Sequence, residues 1–474
     1  MELTNRKRPI AKQYKEGRQN TPDNSLSADY SPTIFLLSLG CSKNLVDSEG
    51  MRGLIAEQGW QLTDTPKKAQ VIIVNTCGFI QPAQEESIAA LLDAANYKNV
   101  GVCQLLIAVG CLVEKYRTEL QQELPEIDAF LGSSEYGLIA QLVAEKLGLP
   151  SVFACNLADI YAKRLNISPP WLAYIKIAEG CDNHCSYCLI PQLRGAYKSR
   201  PMEDILLEAR RLAQDGVKEL VLLAQDTTAY GLDISGQRLL SKLLIQLADM
   251  PFMWIRLLYA YPDGVDEVLL KVMASHDNIC PYLDIPLQHG DDNILRAMGR
   301  SLNSAQLREK IDLIRRYIPN IAIRTTMMVG FPGETEEAFS AMLEFVRWAR
   351  FDWLGAFAYC REEDTIAYNL PDQIDKETKN RRLELLLQEA AHLSDERLKN
   401  YIGRTLTVLT EASAKEEYGS GWWRGRSVYQ APEVDGAVYF VAEDINPGEI
   451  VSIHITGNDV FDLLGKKLSN IKER

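Results

Sequence analysis

Short apolar runs near the N-terminus alternate with helix-like stretches. The apolar runs lie at residues 34–37, 71–74 and 105–109, and helical patterns follow the first two of them at 46–58 and 84–96. Asp47 and Ser48 suit the start of the first helix, because short polar residues favour helix N-termini. Strands that alternate with helices of this length predict parallel strands joined by crossover helices, and therefore an open α/β domain over residues 33–150.

Each of the three apolar runs is followed by a cysteine, at Cys41, Cys77 and Cys111. In an open parallel sheet, ligands bind beyond the carboxyl ends of the strands. The three thiols are therefore predicted to converge at one edge of the sheet. The alternative is that all three are buried structural thiols, since free cysteines are often buried.

A second region of alternating strands and helices follows Pro169 and Pro170. Its candidate strands are residues 172–178, 219–224, 253–260, 282–287, 321–329 and 353–359, and its candidate helices include 202–214, 304–317 and 334–350. Six such units predict a partial (β/α)₈ barrel with its cavity lined by the loops after the strands. This domain is assigned residues 167–403 and ends in one long helix over 376–400.

The two ends of the chain differ from the α/β regions. Residues 404–467 contain short β-rich segments separated by Gly and Pro turns, which predict a small five-strand barrel. Residues 1–32 are polar and show no periodicity, so they are predicted to form a disordered tail. The predicted fold class is thus α/β, with an all-β domain at the C-terminus.

Composition limits the possible functions. Of the 474 residues, 46% are hydrophobic and 24% are charged, as in ordinary globular proteins, and the formal net charge is −13. An acidic chain is a poor candidate for binding free nucleic acid and a better one for binding a basic protein. No apolar run approaches the ~20 residues of a membrane helix, and no secretory signal is visible, so the cytoplasm is expected. Ten cysteines in that compartment are not expected to form disulfides.

The clearest chemical signal is the spacing C-x3-C-x2-C at Cys181, Cys185 and Cys188, directly after the first predicted barrel strand. Cysteine thiolates bind iron–sulfur clusters, and a four-iron cluster normally has four ligands. Three close cysteines would leave one iron free to bind a small molecule. The alternative is a zinc site that also uses His184, which would make the chain a zinc-stabilised binding or scaffold protein.

This motif at the head of a partial β/α barrel resembles the radical S-adenosylmethionine (SAM) superfamily. The resemblance implies that SAM binds the open iron and is cleaved to a 5′-deoxyadenosyl radical. Tyr187 matches the aromatic residue that contacts the adenine in that superfamily. The segment 329–335, Val-Gly-Phe-Pro-Gly-Glu-Thr, also fits the pattern.

The segments around Cys41, Cys77 and Cys111 resemble those of the methylthiotransferases within that superfamily. The resemblance implies a second [4Fe–4S] cluster on these three cysteines, and it implies that the C-terminal barrel is a TRAM domain that recognises the substrate. One branch of these enzymes modifies an adenosine of transfer RNA, and the other modifies an aspartate of small-subunit ribosomal protein twelve.

Several features favour the protein-modifying branch. They are the segments 259–262, 282–289, 324–326, 425–427 and 431–436, which resemble its forms. Independently of the resemblance, residues 404–465 hold four Lys or Arg and ten Asp or Glu, so this domain should repel phosphates and attract a basic protein. The acidic residues could instead only solvate the surface. Methylthiolation of a transfer-RNA adenosine stays the alternative function.

The expected reaction is radical removal of a hydrogen from the aspartate Cβ, followed by sulfur insertion and methyl transfer. The implied cofactors are two [4Fe–4S] clusters and SAM, with an electron donor such as flavodoxin or ferredoxin. Gln225, Asp226 and Arg324, in the predicted barrel, are candidates to contact SAM or the target carboxylate. No catalytic acid or base is assigned.

Overall fold

The computed structural model describes residues 31–150 and 157–468. The predicted tail therefore lies, up to residue 30, outside the described residues. No helix in the described ranges has the length and apolar character needed to span a membrane.

The N-terminal domain is built on a five-stranded parallel sheet with strand order β2-β1-β3-β4-β5. The three strands predicted from apolar runs form its centre, and two short strands that lack such runs flank them. Its elements are β1 Thr33–Ser38, α1 Ser42–Glu57, β2 Gln61–Leu62, β3 Val71–Thr76, α2 Gln81–Val100, β4 Leu105–Gly110, α3 Cys111–Glu123, β5 Ala129–Leu131 and α4 Ile139–Leu147. Helix α5, Leu157–Lys163, follows and packs against α1.

The start predicted for α1 was wrong. Asp47 and Ser48 lie inside the helix and are buried, and the helix begins at Ser42, directly after Cys41. Neither side chain caps the helix, because Asp47 pairs with cations of the next domain and Ser48 accepts a hydrogen bond from Asn75. Tertiary partners therefore explain these polar residues, whereas the prediction used their local preference for helix ends.

The central region contains the six predicted strands in two three-stranded parallel sheets, ordered β10-β9-β6 and β11-β12-β13. A single bridge between Ile255 and Ile279 links the two sheets where a continuous barrel wall would run. The strands are β6 Leu172–Lys176, β7 Ala178–Glu179, β8 Lys198–Ser199, β9 Glu219–Leu223, β10 Trp254–Leu257, β11 Tyr282–Asp284, β12 Ala322–Val329 and β13 Trp353–Ala358. The β7–β8 hairpin was not predicted; it flanks the cysteine loop.

Helices cover the outside of these sheets. The short helix α6, Ile190–Arg194, contacts α3 of the N-terminal domain, and the helices on the outside are α7 Met202–Gln214, α8 Leu232–Ser235, α9 Leu240–Ala248, α10 Glu267–Ser275, α11 Asp292–Ala297, α12 Ser304–Tyr317, α13 Glu336–Ala349 and α14 Lys376–Leu398. Alternate strand residues such as Ile175, Leu222 and Ile323 pack against them in one continuous core. The intervening residues face the other way, as the two-residue period of a strand requires.

The C-terminal domain fills the inner face of the sheets. Its strands form a closed five-strand barrel in the order β14-β15-β16-β18-β17, as predicted. The elements are β14 Thr405–Ser413, α15 Lys415–Tyr418, β15 Trp422–Arg426, β16 Val438–Val441, β17 Ile450–Asp459 and β18 Asp462–Lys467. Val408 and Phe440 of this small barrel share one core with Tyr174, Trp254 and Tyr282 from the inward side of the sheets.

Buried ion pairs cross this contact. Glu219 accepts hydrogen bonds from Arg256 Nε and from Arg426 Nη2, each at 2.7 Å, and Glu411 pairs with Arg426 from within the small barrel. The charges of Arg426 and Arg256 lower the pKa of Glu219 although burial opposes this. The carboxylate thus stays charged and ties β9 to the C-terminal domain.

We expect Glu219→Gln to destabilise the protein by about 3–5 kcal/mol, because it leaves two buried guanidinium groups without their shared carboxylate. Equilibrium urea unfolding followed by tryptophan fluorescence would measure the loss. The exposed pair Glu267–Lys271 offers a control, and Glu267→Gln should change the unfolding midpoint little. A Glu219→Gln protein as stable as the wild type would contradict this view of the domain contact.

Candidate active site

The first three cysteines converge at one edge of the N-terminal sheet. Cys41 follows β1, Cys77 follows β3 and Cys111 begins α3 directly after β4, and these three strands are neighbours in the sheet. All three residues line the same cavity. Gly40 permits this approach, because a Cβ there would lie 2.8 Å from the Cβ of Cys77 and the residue has φ +85°. The predicted convergence is therefore present in the structure.

Polar side chains that the sequence analysis did not single out hold these loops. Asn44 Nδ2 donates to the carbonyls of Leu39 and Thr76, and Asn75 Nδ2 donates back to the Asn44 carbonyl at 2.9 Å. Ser87 Oγ accepts from the Cys77 backbone N–H. The only sequence signal was that Asn75 ends an apolar run, because a polar residue next to a core is expected to be hydrogen-bonded.

The second three cysteines lie on a loop that begins after the short strand β7. The Cys181 N–H donates to the Gly195 carbonyl, and the Cys188 N–H donates to the Cys185 carbonyl. His184 has φ +49° and an exposed side chain, and it is not among the residues that line the cavity. The turn thus directs three thiols to one side and the imidazole to solvent.

Both sets of thiols line one cavity of about 380 Å³ between the N-terminal and central domains. All six are free of disulfides. The other lining residues are Lys43, Asn44, Phe79, Asn183, Tyr187, Ile190, Leu193, Arg194, Gln225, Tyr259, Ala260, Tyr261, Pro286, Gln288 and Arg300. A cavity of this size with few polar groups suits a small organic ligand.

The charged side chains of this lining are all cationic. Arg194 Nε donates to Cys111 Sγ at 3.2 Å, and Arg300 Nη1 lies 3.8 Å from Cys185 Sγ. Burial raises the pKa of Cys111 to about 11, against the charge of Arg194, and burial likewise raises the pKa of Cys188 to about 12. Both thiols are therefore neutral in the metal-free protein and lose protons when a metal binds.

Ion pairs fix the two sides of the cavity relative to each other. Asp47 of α1 accepts from Lys176 Nζ and from Arg194 Nη1, each at 2.7 Å, and all three side chains are buried. Arg164 joins Glu49 of α1 to Glu208 of α7 in a second buried cluster. These contacts hold the N-terminal domain against the central sheets, so the separation of the two cysteine sets is determined by the fold.

Comparison with known proteins identifies the family of this chain. Family models match three parts of the chain: the uncharacterized protein family UPF0004 at residues 33–132, the radical SAM superfamily at 175–346 and the TRAM domain at 402–467. The chain is 46% identical over 440 residues to the ribosomal protein uS12 methylthiotransferase RimO of Pelobacter propionicus, covering 91% of this chain and 97% of that protein. The RimO proteins of Geobacter sulfurreducens and Clostridioides difficile are each 45% identical, over 92% of this chain and 98% of each protein.

The chain belongs to the uS12 methylthiotransferase family.

Among solved structures, the chain is similar in fold to a radical SAM methyltransferase, TsrM from Kitasatospora setae, with a TM-score of 0.54 and 13% identity. That match covers 80% of this chain and 77% of the other. Membership in the radical SAM superfamily implies SAM and one [4Fe–4S] cluster. The zinc alternative needs His184 beside the three thiols of its loop, whereas this side chain is exposed and does not line their cavity.

Two of the four other residues predicted for the site face the cavity. In this member of the uS12 methylthiotransferase family, Tyr187 and Gln225 line it. The Gln225 side-chain oxygen is buried and has no hydrogen-bond partner in the described part of the chain, and the same is true of Gln288. Gln288, which the sequence analysis did not assign, has φ +75°, a strained conformation that often marks a functional position.

The structure places Asp226 and Arg324 outside this cavity. Asp226 caps the turn that follows it and accepts from Asn183 Nδ2 at 2.9 Å, so it reaches the cavity only through Asn183. Arg324 pairs with Asp284 at 3.0 Å and with Asp435 of the C-terminal barrel at 3.3 Å. The sequence analysis treated Arg324 as a barrel-loop residue, but it lies within β12 and faces the C-terminal barrel.

Asp435→Asn should flatten the pH dependence of stability. Burial raises the pKa of Asp435 to about 6, although Arg324 opposes this. An unfolded aspartate loses its proton near pH 4, so the native state binds this proton more tightly than the unfolded state does. The resulting contribution to the free energy of unfolding is complete below about pH 4 and declines as the pH rises to about 6. Over that window we expect the wild type to lose up to about 3 kcal/mol relative to the variant.

Urea unfolding of both proteins at several pH values would measure this difference. Asp395→Asn is the control, because Asp395 is on the surface and its hydrogen bond to Lys399 lowers its pKa. Parallel stability curves for the wild type and Asp435→Asn would show that this carboxyl does not titrate in the window.

Proposed function

We propose that the chain transfers a methylthio group to the β-carbon of an aspartate in ribosomal protein uS12. The observation that carries the proposal is that two sets of three free thiols, from two domains, face one cavity. The relatives that match over more than nine-tenths of the chain are uS12 methylthiotransferases. A single cavity lets one substrate side chain meet both sets of thiols.

The residues present fit two clusters with three protein ligands each. Cys181, Cys185 and Cys188 would hold the cluster that binds SAM. A further set of three, Cys41, Cys77 and Cys111, would hold the second cluster. Thiolates are the usual ligands of four-iron clusters, and the nearby guanidinium groups of Arg194 and Arg300 offset the negative charge of such groups. When bound, the clusters and SAM supply the one-electron chemistry, the sulfur and the methyl group.

The side chains of the cavity are placed to bind SAM and to orient it. Tyr187 lies on the cysteine loop and packs edge to face on Phe331, with ring centroids 6.4 Å apart, so its position is fixed before an adenine stacks on it. The unpaired oxygens of Gln225 and Gln288 are acceptors for the ammonium or ribose hydroxyl groups of SAM. Phe79, Ile190 and Leu193 form an apolar wall that excludes water from a reactive intermediate.

The C-terminal domain favours a basic protein as substrate. Between residues 404 and 467, ten acidic residues outnumber six basic ones. One of the six, Arg426, is buried in ion pairs with Glu219 and Glu411 and contributes no positive surface. A domain that grips RNA needs exposed cations along the path of the phosphates, and this one offers few. The electron donor is proposed to be a flavodoxin or a ferredoxin.

Alanine substitutions should separate the roles of the two cysteine sets. Changing Cys181, Cys185 or Cys188 should abolish formation of 5′-deoxyadenosine. Changing Cys41, Cys77 or Cys111 should leave that cleavage in place and abolish methylthio transfer. Anaerobic reconstitution followed by chromatography of 5′-deoxyadenosine and mass spectrometry of uS12 would measure both activities.

Two cysteines outside the cavity serve as controls. Cys103 and Cys280 are buried in apolar clusters. Folded protein with alanine at either position should retain both SAM cleavage and methylthio transfer. Equal loss of SAM cleavage in both ligand sets would contradict the division of labour.

The substrate is tested by presenting the reconstituted enzyme with purified uS12, intact small subunits and transfer RNA in separate reactions. We expect a methylthio mass gain on an aspartate of uS12, free or within the subunit. Modification of transfer RNA alone would replace the proposed function with its alternative.

A further inference from the structure

Lys43 is a buried cation in the wall between the two sets of thiols. It lies in the first turn of α1, two residues after Cys41, and its side chain lines the cavity with only 8% of its surface exposed. The Nζ atom lies 3.2 Å from the ring centroid of Tyr259, which follows β10 in the central domain. The ammonium group therefore crosses from the N-terminal domain to the opposite wall of the cavity.

The ring beneath Lys43 is held firmly. Tyr259 has φ +57°, a conformation that costs energy for a side chain of this size. Its N–H donates to Asp284 Oδ2 at 3.1 Å, and its carbonyl accepts from the backbone N–H of Thr227. Surrounding structure thus imposes the strained conformation and fixes the ring as a platform for the cation.

The other two cations of the cavity already have partners. Arg194 pairs with Asp47 and Glu179 and donates to Asn44 Oδ1. Arg300 donates to the Pro286 carbonyl and lies over the ring of Tyr261 at 4.1 Å, beside Cys185 of the SAM-binding set. Each is fixed by the protein itself.

Lys43 differs from both in having no hydrogen-bond partner for its charged group among the described residues. Across residues 31–150 and 157–468, the ammonium group of Lys43 forms no ion pair and no hydrogen bond, and no Asp or Glu lines the cavity. A desolvated ammonium with no carboxylate beside it is costly, and an aromatic face replaces only part of the lost hydration. The position is therefore suited to an anionic group brought in by a ligand.

We propose that Lys43 binds the side-chain carboxylate of the substrate aspartate and so selects an acidic side chain for the reaction. The proposal rests on the proposed function. The reacting β-carbon is bonded directly to that carboxyl carbon, so holding the carboxylate on Lys43 keeps the β-carbon in the cavity that both sets of thiols line. An amide or a nucleobase at the same place offers no charge to pair with the ammonium.

The test compares binding of two forms of uS12 to the reconstituted enzyme, one with the target aspartate and one with asparagine there. We expect the wild-type enzyme to bind the aspartate form roughly ten- to a hundredfold more tightly, the usual effect of a hydrogen bond between charged groups. Lys43→Gln should bind both forms with the same weak affinity. Lys43→Arg keeps the charge and should restore part of the preference.

Lys115→Gln is the matched control. Lys115 is another buried lysine of the N-terminal domain, and it too lies over a tyrosine ring, that of Tyr116 at 4.7 Å. It pairs with Glu362 outside the cavity, so its loss should leave the preference for aspartate intact.

Iron and sulfide content is measured for every variant, together with SAM cleavage without substrate. Unchanged iron and cleavage in Lys43→Gln, with loss of the preference, support the proposal. A preference that persists in Lys43→Gln overturns it, and so does a loss of iron, which would mean that Lys43 supports the cluster instead. A wild-type enzyme that modifies transfer RNA and does not bind uS12 would refute the proposed function itself, and this inference with it.

Discussion

The cavity depends on the buried ion pairs between Asp47, Lys176 and Arg194. Each set of thiols belongs to its own domain, and chemistry that uses both requires the domains to hold one separation. Ion pairs without water are weak contributors to net stability, because desolvation offsets the attraction, but they strongly penalise any arrangement that breaks them. Here one carboxylate of α1 meets a cation from β6 and another from α6. A shifted domain would leave Asp47 buried without a partner and would leave Lys176 and Arg194 with Glu179 alone.

The C-terminal barrel covers the inner face of the central sheets. Two three-stranded sheets joined by one bridge leave an inner face that six strands alone cannot close. The small barrel packs Val408 and Phe440 against that face, and Arg426 neutralises the buried Glu219. The C-terminal barrel, which resembles a substrate-recognition domain, therefore also completes the core of the central domain. This explains why the contact between the two domains contains both apolar side chains and fully buried ion pairs.

The features that could be predicted were those that follow from strand direction and spacing. Parallel strands end at the same edge, so Cys41, Cys77 and Cys111 had to meet, and the C-x3-C-x2-C spacing placed three thiols on one turn. Contacts between domains could not be predicted in this way. The burial of Asp47, the place of Arg324 at the C-terminal barrel and the position of Lys43 over Tyr259 each depend on how separate domains pack, which local patterns do not encode.

The C-terminal domain carries a net negative charge, whereas the charged side chains of the cavity are cationic. Together these two features favour one class of substrate. The acidic C-terminal domain attracts a basic protein at long range and repels the phosphates of RNA. Among the residues that the structure describes, the cavity lining has cations and no carboxylate, so an acidic side chain gains most by entering once a basic partner has docked. Each selection alone is weak, since many proteins are basic and most carry aspartate. A basic protein that presents an exposed aspartate satisfies both, and RNA satisfies neither, because its phosphates are repelled at the surface and its bases carry no charge for the cavity.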